Sequence, residues 1–246
     1  MIGFGTYKLT KDEAYNMTIK ALNMGYRVID TAELYNNEKQ VAKAIEDSGI
    51  ERNEIFLTTK VSTKDETKIE KSFSKRIRIF PKIDLLLLHW PSRDPIKGWR
   101  NMIKMWEQHN DQVSNIGISN VSLETLKQII EATGVKPYAV QNEINPFCYD
   151  ITFEGYCKDN GIKLIAHSCF SYGTALEIEE VKTVAQMRQI TPATLLLQWV
   201  KQHSDIYLTR CNGDQYLKEN YDTSGNHNFK DIRIDTDKQI RLYFNK

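Results

Sequence analysis

Short apolar segments alternate with longer amphipathic segments along this chain of 246 residues. Eight apolar segments recur, most of them starting about 25 to 30 residues apart, which is the length of one strand and one helix. They cover residues 2–6, 26–30, 55–60, 83–89, 113–119, 138–141, 162–167 and 206–210. The fourth contains four consecutive leucines, from Leu85 to Leu88, and such continuous apolar runs are typical of strands buried on both faces. The pattern predicts eight buried strands.

The segments between the predicted strands carry signals for the start and end of helices. Thr10 followed by Glu13 forms a capping box, and Gly25 is suited to end the helix that they begin. Thr191 followed by Pro192 places a capping residue before a proline at the first helical position. These signals predict helices that alternate with the strands.

Eight strands alternating with helices predict an α/β fold, a (β/α)8 barrel that forms a single domain over residues 1–246. A doubly wound open sheet is the competing fold. That fold usually carries a Gly-x-Gly-x-x-Gly turn after its first strand. Gly3 and Gly5 begin this pattern, but the third glycine is missing. The barrel is therefore the favoured prediction.

Polar residues end seven of the eight predicted strands. They are Asp30, Lys60, His89, the pair Ser119 and Asn120, Gln141, the pair His167 and Ser168, and Arg210. In a (β/α)8 barrel, the carboxyl ends of all strands meet at one rim, where barrel enzymes have their active sites. We therefore expect these residues to lie together.

Four of the polar residues at this rim suit proton transfer to a carbonyl oxygen. Tyr35 lies five residues beyond Asp30, in the loop that leaves the second strand. A free tyrosine has a pKa of about 10, and a nearby ammonium group such as Lys60 lowers that pKa. Asp30 would keep Lys60 charged and oriented, and His89 would hydrogen-bond the substrate oxygen. This set predicts a general acid.

Composition and charge argue against several classes of function. Lys and Arg number 33 and Asp and Glu number 32, so the basic excess typical of nucleic-acid binding is missing. We expect no membrane partner, because no run of 18 apolar residues occurs. The N-terminus lacks the features of a signal peptide, so we expect a cytoplasmic protein. We also expect a monomer. The four cysteines are scattered and the five histidines lack metal-ligand spacing, so we expect reduced thiols and no metal.

Several motifs together resemble those of the aldo-keto reductase family. Residues 30–38, Asp-Thr-Ala-Glu-Leu-Tyr-Asn-Asn-Glu, resemble the family signature. Further similar motifs follow in the family's order, at residues 3–7, 58–61, 88–91, 116–120, 141, 166–173, 191–193 and 218–220. The resemblance covers nearly the whole chain. It implies a (β/α)8 barrel without a metal that reduces aldehydes and ketones to alcohols with NAD(P)H.

The resemblance also implies roles for individual residues. Tyr35 would donate the proton, Lys60 would lower its pKa, Asp30 would hold Lys60, and His89 would orient the carbonyl group. The substrate would contact Tyr35, His89 and Trp90. The residues implied to bind the cofactor are Thr6, Tyr7, Ser119, Asn120, Gln141, His167, Ser168, Arg210, Glu219 and Asn220.

The chain departs from the family pattern at both ends of the cofactor site. His167 stands where a tyrosine commonly stacks on the nicotinamide ring. Arg210 supplies a cation for the 2′-phosphate of NADP, but Tyr216 occupies the place of a second arginine. NADP is therefore the expected cofactor, with NAD as an open alternative. We also expect a barrel that lacks the family's usual N-terminal hairpin, and a substrate pocket that is either open and permissive or completed by a partner.

Two other functions are compatible with parts of the sequence. The altered stacking and phosphate positions suit a regulatory or non-catalytic module that binds NAD(P)H without turnover. A lysine at a strand end, such as Lys60, also suits an aldolase that forms a Schiff base. That chemistry has no use for Asp30, Tyr35 and Gln141 together, which makes it the weaker alternative.

Overall fold

The computed structural model describes residues 1–223. Its strands are β1 (Ile2–Gly5), β2 (Val28–Asp30), β3 (Phe56–Val61), β4 (Ile83–Leu88), β5 (Val113–Ser119), β6 (Ala139–Glu143), β7 (Lys163–His167) and β8 (Ile206–Thr209). Its α-helices are α1 (Lys11–Met24), α2 (Glu38–Asp47), α3 (Ile69–Ile79), α4 (Pro95–Gln108), α5 (Leu123–Thr133), α6 (Ile151–Asp159), α7 (Glu179–Met187), α8 (Pro192–Gln202) and α9 (Asp214–Asp222). Each predicted apolar segment overlaps one strand, and β3 and β6 run one and two residues beyond the predicted ends. The predicted end of the domain, at residue 246, lies outside the described residues.

The eight strands form one closed, parallel barrel in sequence order. Closure is made by β1 and β8, where Ile2 is opposite Tyr207 and Phe4 is opposite Thr209. An open sheet would leave two unpaired edge strands, whereas every strand here has two neighbours. The (β/α)8 prediction is therefore confirmed and the doubly wound alternative is wrong.

Caps fix the helix ends as the sequence predicts. Thr10 and Glu13 form the reciprocal capping box of α1, and Gly25 ends that helix with a φ of 111°. A positive φ of this size strains any residue with a Cβ atom, which is why glycine suits the position. Thr191 caps α8, with Pro192 at its start. Among residues 1–223, no helix is long and apolar enough to cross a membrane.

The apolar residues form two separate cores. The larger one lies between the strands and the surrounding helices. The smaller one contains residues from five different strands, namely Val28, Leu85, Leu87, Ala139, Ile165 and Leu208. Strands β4 and β8 are not neighbours in the barrel, so their side chains meet only across its interior. The barrel is therefore filled, and these side chains form the floor beneath its carboxyl-terminal rim.

Candidate active site

Because side chains alternate along a strand, polar residues lie at the rim directly above the smaller core, which fills the barrel. Successive residues of a strand point to opposite faces, so residues two positions apart share a face. On each of the five strands that contribute to the smaller core, the residue two positions beyond the last core residue is polar. They are Asp30 after Val28, His89 after Leu87, Gln141 after Ala139, His167 after Ile165 and Arg210 after Leu208. The two-residue alternation of the strands therefore places five of the predicted site residues at the same rim of the barrel.

The centre of the site is a buried ion pair. The Nζ of Lys60 lies 2.5 Å from Oδ1 of Asp30 and donates a 2.9 Å hydrogen bond to the backbone carbonyl of Thr31. Its third neighbour is the hydroxyl of Tyr35, at 3.3 Å. Lys60 is fully buried and Asp30 is 3% exposed. The structure thus brings together the ammonium group, the carboxylate and the phenol as the sequence predicted.

Burial and charge act in opposite directions on the pKa values of this group. Burial acts to lower the pKa of Lys60, but Asp30 and Tyr35 outweigh it and the net direction is upward. Lys60 is therefore an ammonium at neutral pH, which is not a nucleophile, and this argues against a Schiff-base aldolase. Burial raises the pKa of Tyr35, and the opposing effect of Lys60 is smaller.

Lys60 acts on the pKa of Tyr35 in the expected direction, but its effect is not the largest one. The net shift of the Tyr35 pKa is upward, because a phenolate loses more hydration energy on burial than Lys60 returns. Tyr35 consequently carries its proton at neutral pH. The phenol can then serve as a hydrogen-bond donor and as an acid.

His89 and Trp90 lie beside Tyr35. The rings of His89 and Trp90 stack, with centroids 3.9 Å apart, and the ring of His89 is edge-on to Tyr35 at 5.8 Å. Burial, together with the charge of Lys60 and the proximity of His167, lowers the pKa of His89 to about 3. His89 is therefore neutral at neutral pH, and its imidazole can be both a donor and an acceptor.

A second ion-pair cluster holds the loop that carries Tyr35. Arg76 on α3 lies 2.8 Å from Glu33 and 3.1 Å from Glu38, and Arg76 and Glu38 are both buried. The hydroxyl of Thr59 on β3 donates a 2.6 Å hydrogen bond to Glu38. The sequence analysis missed this cluster. Glu38 belongs to the signature motif, but no local pattern marks Arg76.

A cavity of about 850 Å³ opens at this rim. Thirteen of the predicted site residues line it, namely Tyr7, Asp30, Tyr35, His89, Trp90, Ser119, Asn120, Gln141, His167, Ser168, Arg210, Glu219 and Asn220. Lys60 lies behind Tyr35 and is fully buried. The cavity therefore joins the residues predicted for proton transfer to those predicted for the cofactor.

Thr6 is the predicted cofactor residue that the structure does not bring to the cavity wall. It is fully buried, and its hydroxyl lies 3.0 Å from Oγ1 of Thr31 and 3.3 Å from Oδ1 of Asn37. These contacts tie β1 to the loop after β2. The side chain of Thr6 therefore supports the loop that carries Tyr35, and its contact with the cofactor stays a prediction.

The residues predicted to bind the nicotinamide carboxamide form one hydrogen-bonded group. Ser119 donates a 2.6 Å hydrogen bond to the carbonyl of Gln141, whose side chain donates to Asp30 at 2.7 Å. The Nε2 of His167 lies 3.1 Å from Oδ1 of Asn120, and burial lowers the pKa of His167 to about 4. His167 is therefore neutral at neutral pH and donates this bond through its N–H.

Charged and polar groups from β8 onward also line the cavity. Arg210 is exposed on the wall, and Asn220 on α9 is buried in it. Glu219 accepts a hydrogen bond from the hydroxyl of Thr191, the residue that caps α8. Tyr216, which stands in place of a second arginine, also lines the cavity. This part of the wall offers one arginine to a phosphate group.

The long connection between β7 and β8 supplies a part of the wall that the sequence analysis did not assign. Phe170, Tyr172, Leu176 and Lys182 line the cavity from this connection. The segment Ser171–Glu177 contains a kink in which Tyr172 and Gly173 have positive φ values of 57° and 97°. The unusual length of the interval before the last strand was the available signal, since long connections in barrels often carry binding residues.

The donor set fits an extended dinucleotide better than a metal ion. Among residues 1–223, no group of three or more His, Cys, Asp or Glu side chains is arranged to hold a metal. The wall of the cavity instead carries amide groups, an imidazole and an arginine. Amide groups suit a carboxamide, and an arginine suits a phosphate.

Comparisons with known proteins agree with this geometry. The sequence model of the aldo/keto reductase family matches residues 1–231. The chain is 34% identical to a methylglyoxal reductase of Yersinia pestis over 209 residues, which are 82% of this chain and 78% of that protein. It is 31% identical to a glyoxal reductase of Bacillus subtilis over 228 residues, 89% of this chain and 81% of that protein. The solved NADPH complex of a Gox0644 variant has a TM-score of 0.81 and 29% identity, covering 91% of this chain and 83% of that one.

The barrel, the lysine–aspartate–tyrosine cluster at its cavity and the family match together define an NADP-dependent oxidoreductase that reduces carbonyl groups. The chain belongs to the aldo/keto reductase family. The comparisons do not favour the alternative of a non-catalytic NAD(P)H-binding module.

Proposed function

We propose that this protein reduces small aldehydes and α-oxoaldehydes, with Tyr35 as the proton donor. The observation that carries this proposal is the contact of the Lys60 ammonium group with both Asp30 and the Tyr35 hydroxyl at the cavity. The similarity to a methylglyoxal reductase and a glyoxal reductase supports small dicarbonyl compounds as the substrate class.

Each residue around the cavity would have a separate role in the reaction. NADPH, when bound, supplies the hydride that adds to the carbonyl carbon. Tyr35 gives its proton to the carbonyl oxygen, and Lys60 stabilises the phenolate that remains. Asp30 keeps Lys60 charged, since an unpaired buried ammonium would lose its proton easily. His89 orients the carbonyl oxygen and Trp90 covers it.

A second group of residues would hold the cofactor. Ser119, Asn120 and Gln141 would bind the carboxamide, and His167 with Ser168 would lie against the nicotinamide ring. Tyr7, 5.1 Å from Tyr35 between ring centroids, would border the nicotinamide ribose. Arg210 would pair with the 2′-phosphate, and Glu219 and Asn220 would meet the adenine. Orientation of the ring relative to the carbonyl carbon is a large part of catalysis in hydride transfer.

The remaining features of the proposal concern the setting of the protein. We propose a monomer in the cytoplasm that acts on small molecules and binds neither nucleic acid nor membrane. The near balance of 33 basic and 32 acidic residues supports the exclusion of nucleic acid.

The Tyr35→Phe variant tests the proposed proton donor. We expect its kcat with NADPH and methylglyoxal to fall by about 10²- to 10⁴-fold, because general acid catalysis contributes about that factor. NADPH binding, followed by fluorescence, should stay within about twofold. Tyr15→Phe is the matched control, because the Tyr15 hydroxyl bonds Asp47 on the surface.

Two outcomes would contradict the proposal in different ways. Normal turnover by Tyr35→Phe would remove Tyr35 from the mechanism. NADPH binding by the unmodified protein without oxidation of the cofactor, across methylglyoxal, glyoxal and 4-nitrobenzaldehyde, would instead favour the non-catalytic module.

A further inference from the structure

Ser62 lies between the loop that carries Tyr35 and the ring of His89. Its Oγ is 2.8 Å from Nδ1 of His89 and accepts a 3.3 Å hydrogen bond from the backbone N–H of Leu34. Its own backbone N–H donates a 3.2 Å hydrogen bond to the carboxylate of Glu33. Ser62 is partly buried, two residues beyond Lys60. One side chain thus contacts the two elements that face the carbonyl oxygen in the proposed reaction.

The hydroxyl of Ser62 can donate a hydrogen bond to Nδ1 of His89. A serine hydroxyl has one hydrogen to donate and two lone pairs to accept with. The N–H of Leu34 occupies one lone pair. Within residues 1–223, Nδ1 of His89 is the acceptor that the structure offers to the Ser62 O–H. When the Ser62 O–H donates to Nδ1, that nitrogen is unprotonated and the neutral imidazole carries its proton on Nε2.

The aromatic neighbours of His89 fix the plane of its ring, but they do not determine on which side each ring nitrogen lies. The ring stacks on Trp90 at 3.9 Å with an angle of 14° between the planes, and meets Tyr35 edge-on. A half turn of the imidazole about its axis would preserve both contacts and exchange its nitrogen and carbon positions. The hydrogen bond to Ser62 distinguishes the two orientations, because it is made by Nδ1.

We propose that Ser62 is a positioning residue that holds His89 as the Nε2–H tautomer and leaves this N–H available to the oxygen of a carbonyl substrate. The proposal rests on the carbonyl reduction described above. The carbonyl oxygen gains negative charge as the hydride adds, and an N–H beside the Tyr35 hydroxyl would stabilise that charge. The opposite tautomer would present a lone pair to the same oxygen and repel it.

The charges around His89 make the tautomer decisive. Lys60 and the neighbouring His167 face His89, and with burial they lower its pKa to about 3. The ring therefore has a single proton at neutral pH, and its ability to donate towards the cavity depends on which nitrogen holds that proton.

Nitrogen NMR of the unmodified protein tests the tautomer directly. The ¹⁵N shifts of His89 at pH 7.5, assigned by their loss in His89→Asn, should show an unprotonated Nδ1 and a protonated Nε2. A protonated Nδ1 would overturn the proposal, whatever the activity. This measurement needs no substrate, so its failure is distinct from a failure of the proposed function, which normal turnover by Tyr35→Phe would reveal.

Variants of Ser62 test the consequence for catalysis. Ser62→Ala should lower kcat and kcat/KM for methylglyoxal together by about tenfold, which is the effect of one lost hydrogen bond in the transition state. The His89 shifts of this variant should indicate a mixture of tautomers, and NADPH binding should be unchanged. Ser62→Thr keeps the hydroxyl and should recover most of the rate.

Thr63→Ala is the matched control, because the Thr63 hydroxyl contacts the backbone of Asp65 and not His89. It should retain the activity and the His89 shifts of the unmodified protein. Full activity of Ser62→Ala with unchanged His89 shifts would overturn the proposal. An equal loss of rate in Ser62→Thr and Ser62→Ala would do the same, because the hydroxyl would then be irrelevant.

Discussion

The side chain of Gln141 donates a hydrogen bond of 2.7 Å to Oδ2 of Asp30, although the two residues are 111 positions apart. The other oxygen of Asp30 lies 2.5 Å from Lys60. Asp30 thus contacts the proton-transfer group with one oxygen and the proposed carboxamide site with the other. If Gln141 holds the cofactor as proposed, cofactor binding and the orientation of Lys60 are linked through one carboxylate.

Replacement of Gln141 by methionine tests this link. Gln141→Met preserves the length of the side chain but leaves Oδ2 of Asp30 without its donor. Because hydrogen bonds to charged groups contribute about 1.5–3 kcal/mol, we expect a loss of that size in the free energy of unfolding, measured in urea. NADPH binding should weaken as well. Gln128→Met, at an exposed position of α5, is the control, and equal behaviour of the two variants would refute the link.

The buried pair of Lys60 and Asp30 makes a prediction about stability. Lys60→Met should lower the free energy of unfolding by about 3–5 kcal/mol, because it leaves a buried carboxylate without a counter-charge. The pKa of Lys60 is raised above 10.5 in the folded protein, so the stabilisation is fully present below pH 10.5 and is lost only as the pH rises further. Urea titrations at pH 7.5 therefore measure all of it.

The double variant Lys60→Met with Asp30→Asn separates stability from activity. Removal of both charges should recover part of the lost stability, since no buried charge remains unpaired. Turnover should stay low, because the Tyr35 phenolate then has no ammonium beside it. Recovery of turnover in the double variant would contradict the proposed role of Lys60.

The two neutral histidines predict a loss of stability in mild acid. Burial lowers the pKa of His89 to about 3 and that of His167 to about 4, from 6.5. At a pH between the lowered pKa of each histidine and 6.5, the unfolded chain binds more protons than the folded one. The free energy of unfolding therefore falls as the pH decreases below 6.5. Each histidine contributes a slope of up to about 1.4 kcal/mol per pH unit.

His167→Phe isolates one of these contributions. Urea unfolding of the variant and the unmodified protein is measured at pH 7.5, 6.0 and 5.0. The free energy of unfolding should fall less steeply with decreasing pH in the variant, by up to about 1.4 kcal/mol per pH unit. Phenylalanine preserves a ring for stacking but does not titrate in this range. Parallel curves for the two proteins would show that His167 is not buried in its neutral form.

Arg210 makes a prediction about the choice of cofactor. Arg210→Ala should reduce the ratio of NADPH to NADH affinity by about tenfold or more, because a charge-assisted contact to phosphate contributes about 1.5–3 kcal/mol. Fluorescence titrations with both cofactors measure the ratio. Arg100→Ala, on α4, is the control. An unchanged ratio in Arg210→Ala would remove Arg210 from recognition of the 2′-phosphate.

The strands and the polar residues that follow them were predictable because their signals are local. Strand alternation has a period of two residues, so the sequence places Gln141 on the same face as Ala139 before any fold is known. The capping box of Thr10 and Glu13 spans only four residues. Eight such strands with helices between them predict a barrel, and the rim of a barrel collects its strand ends.

The contacts between distant segments were decided by the tertiary structure. No local pattern pairs Arg76 with Glu38, places Ser62 against His89 or turns Thr6 away from the cavity. The net direction of the Tyr35 pKa also required the fold, since it depends on how much water the closed barrel removes from the phenol. Sequence periodicity fixes which face a side chain occupies, whereas partners and hydration are set only when strands far apart in the chain are brought together.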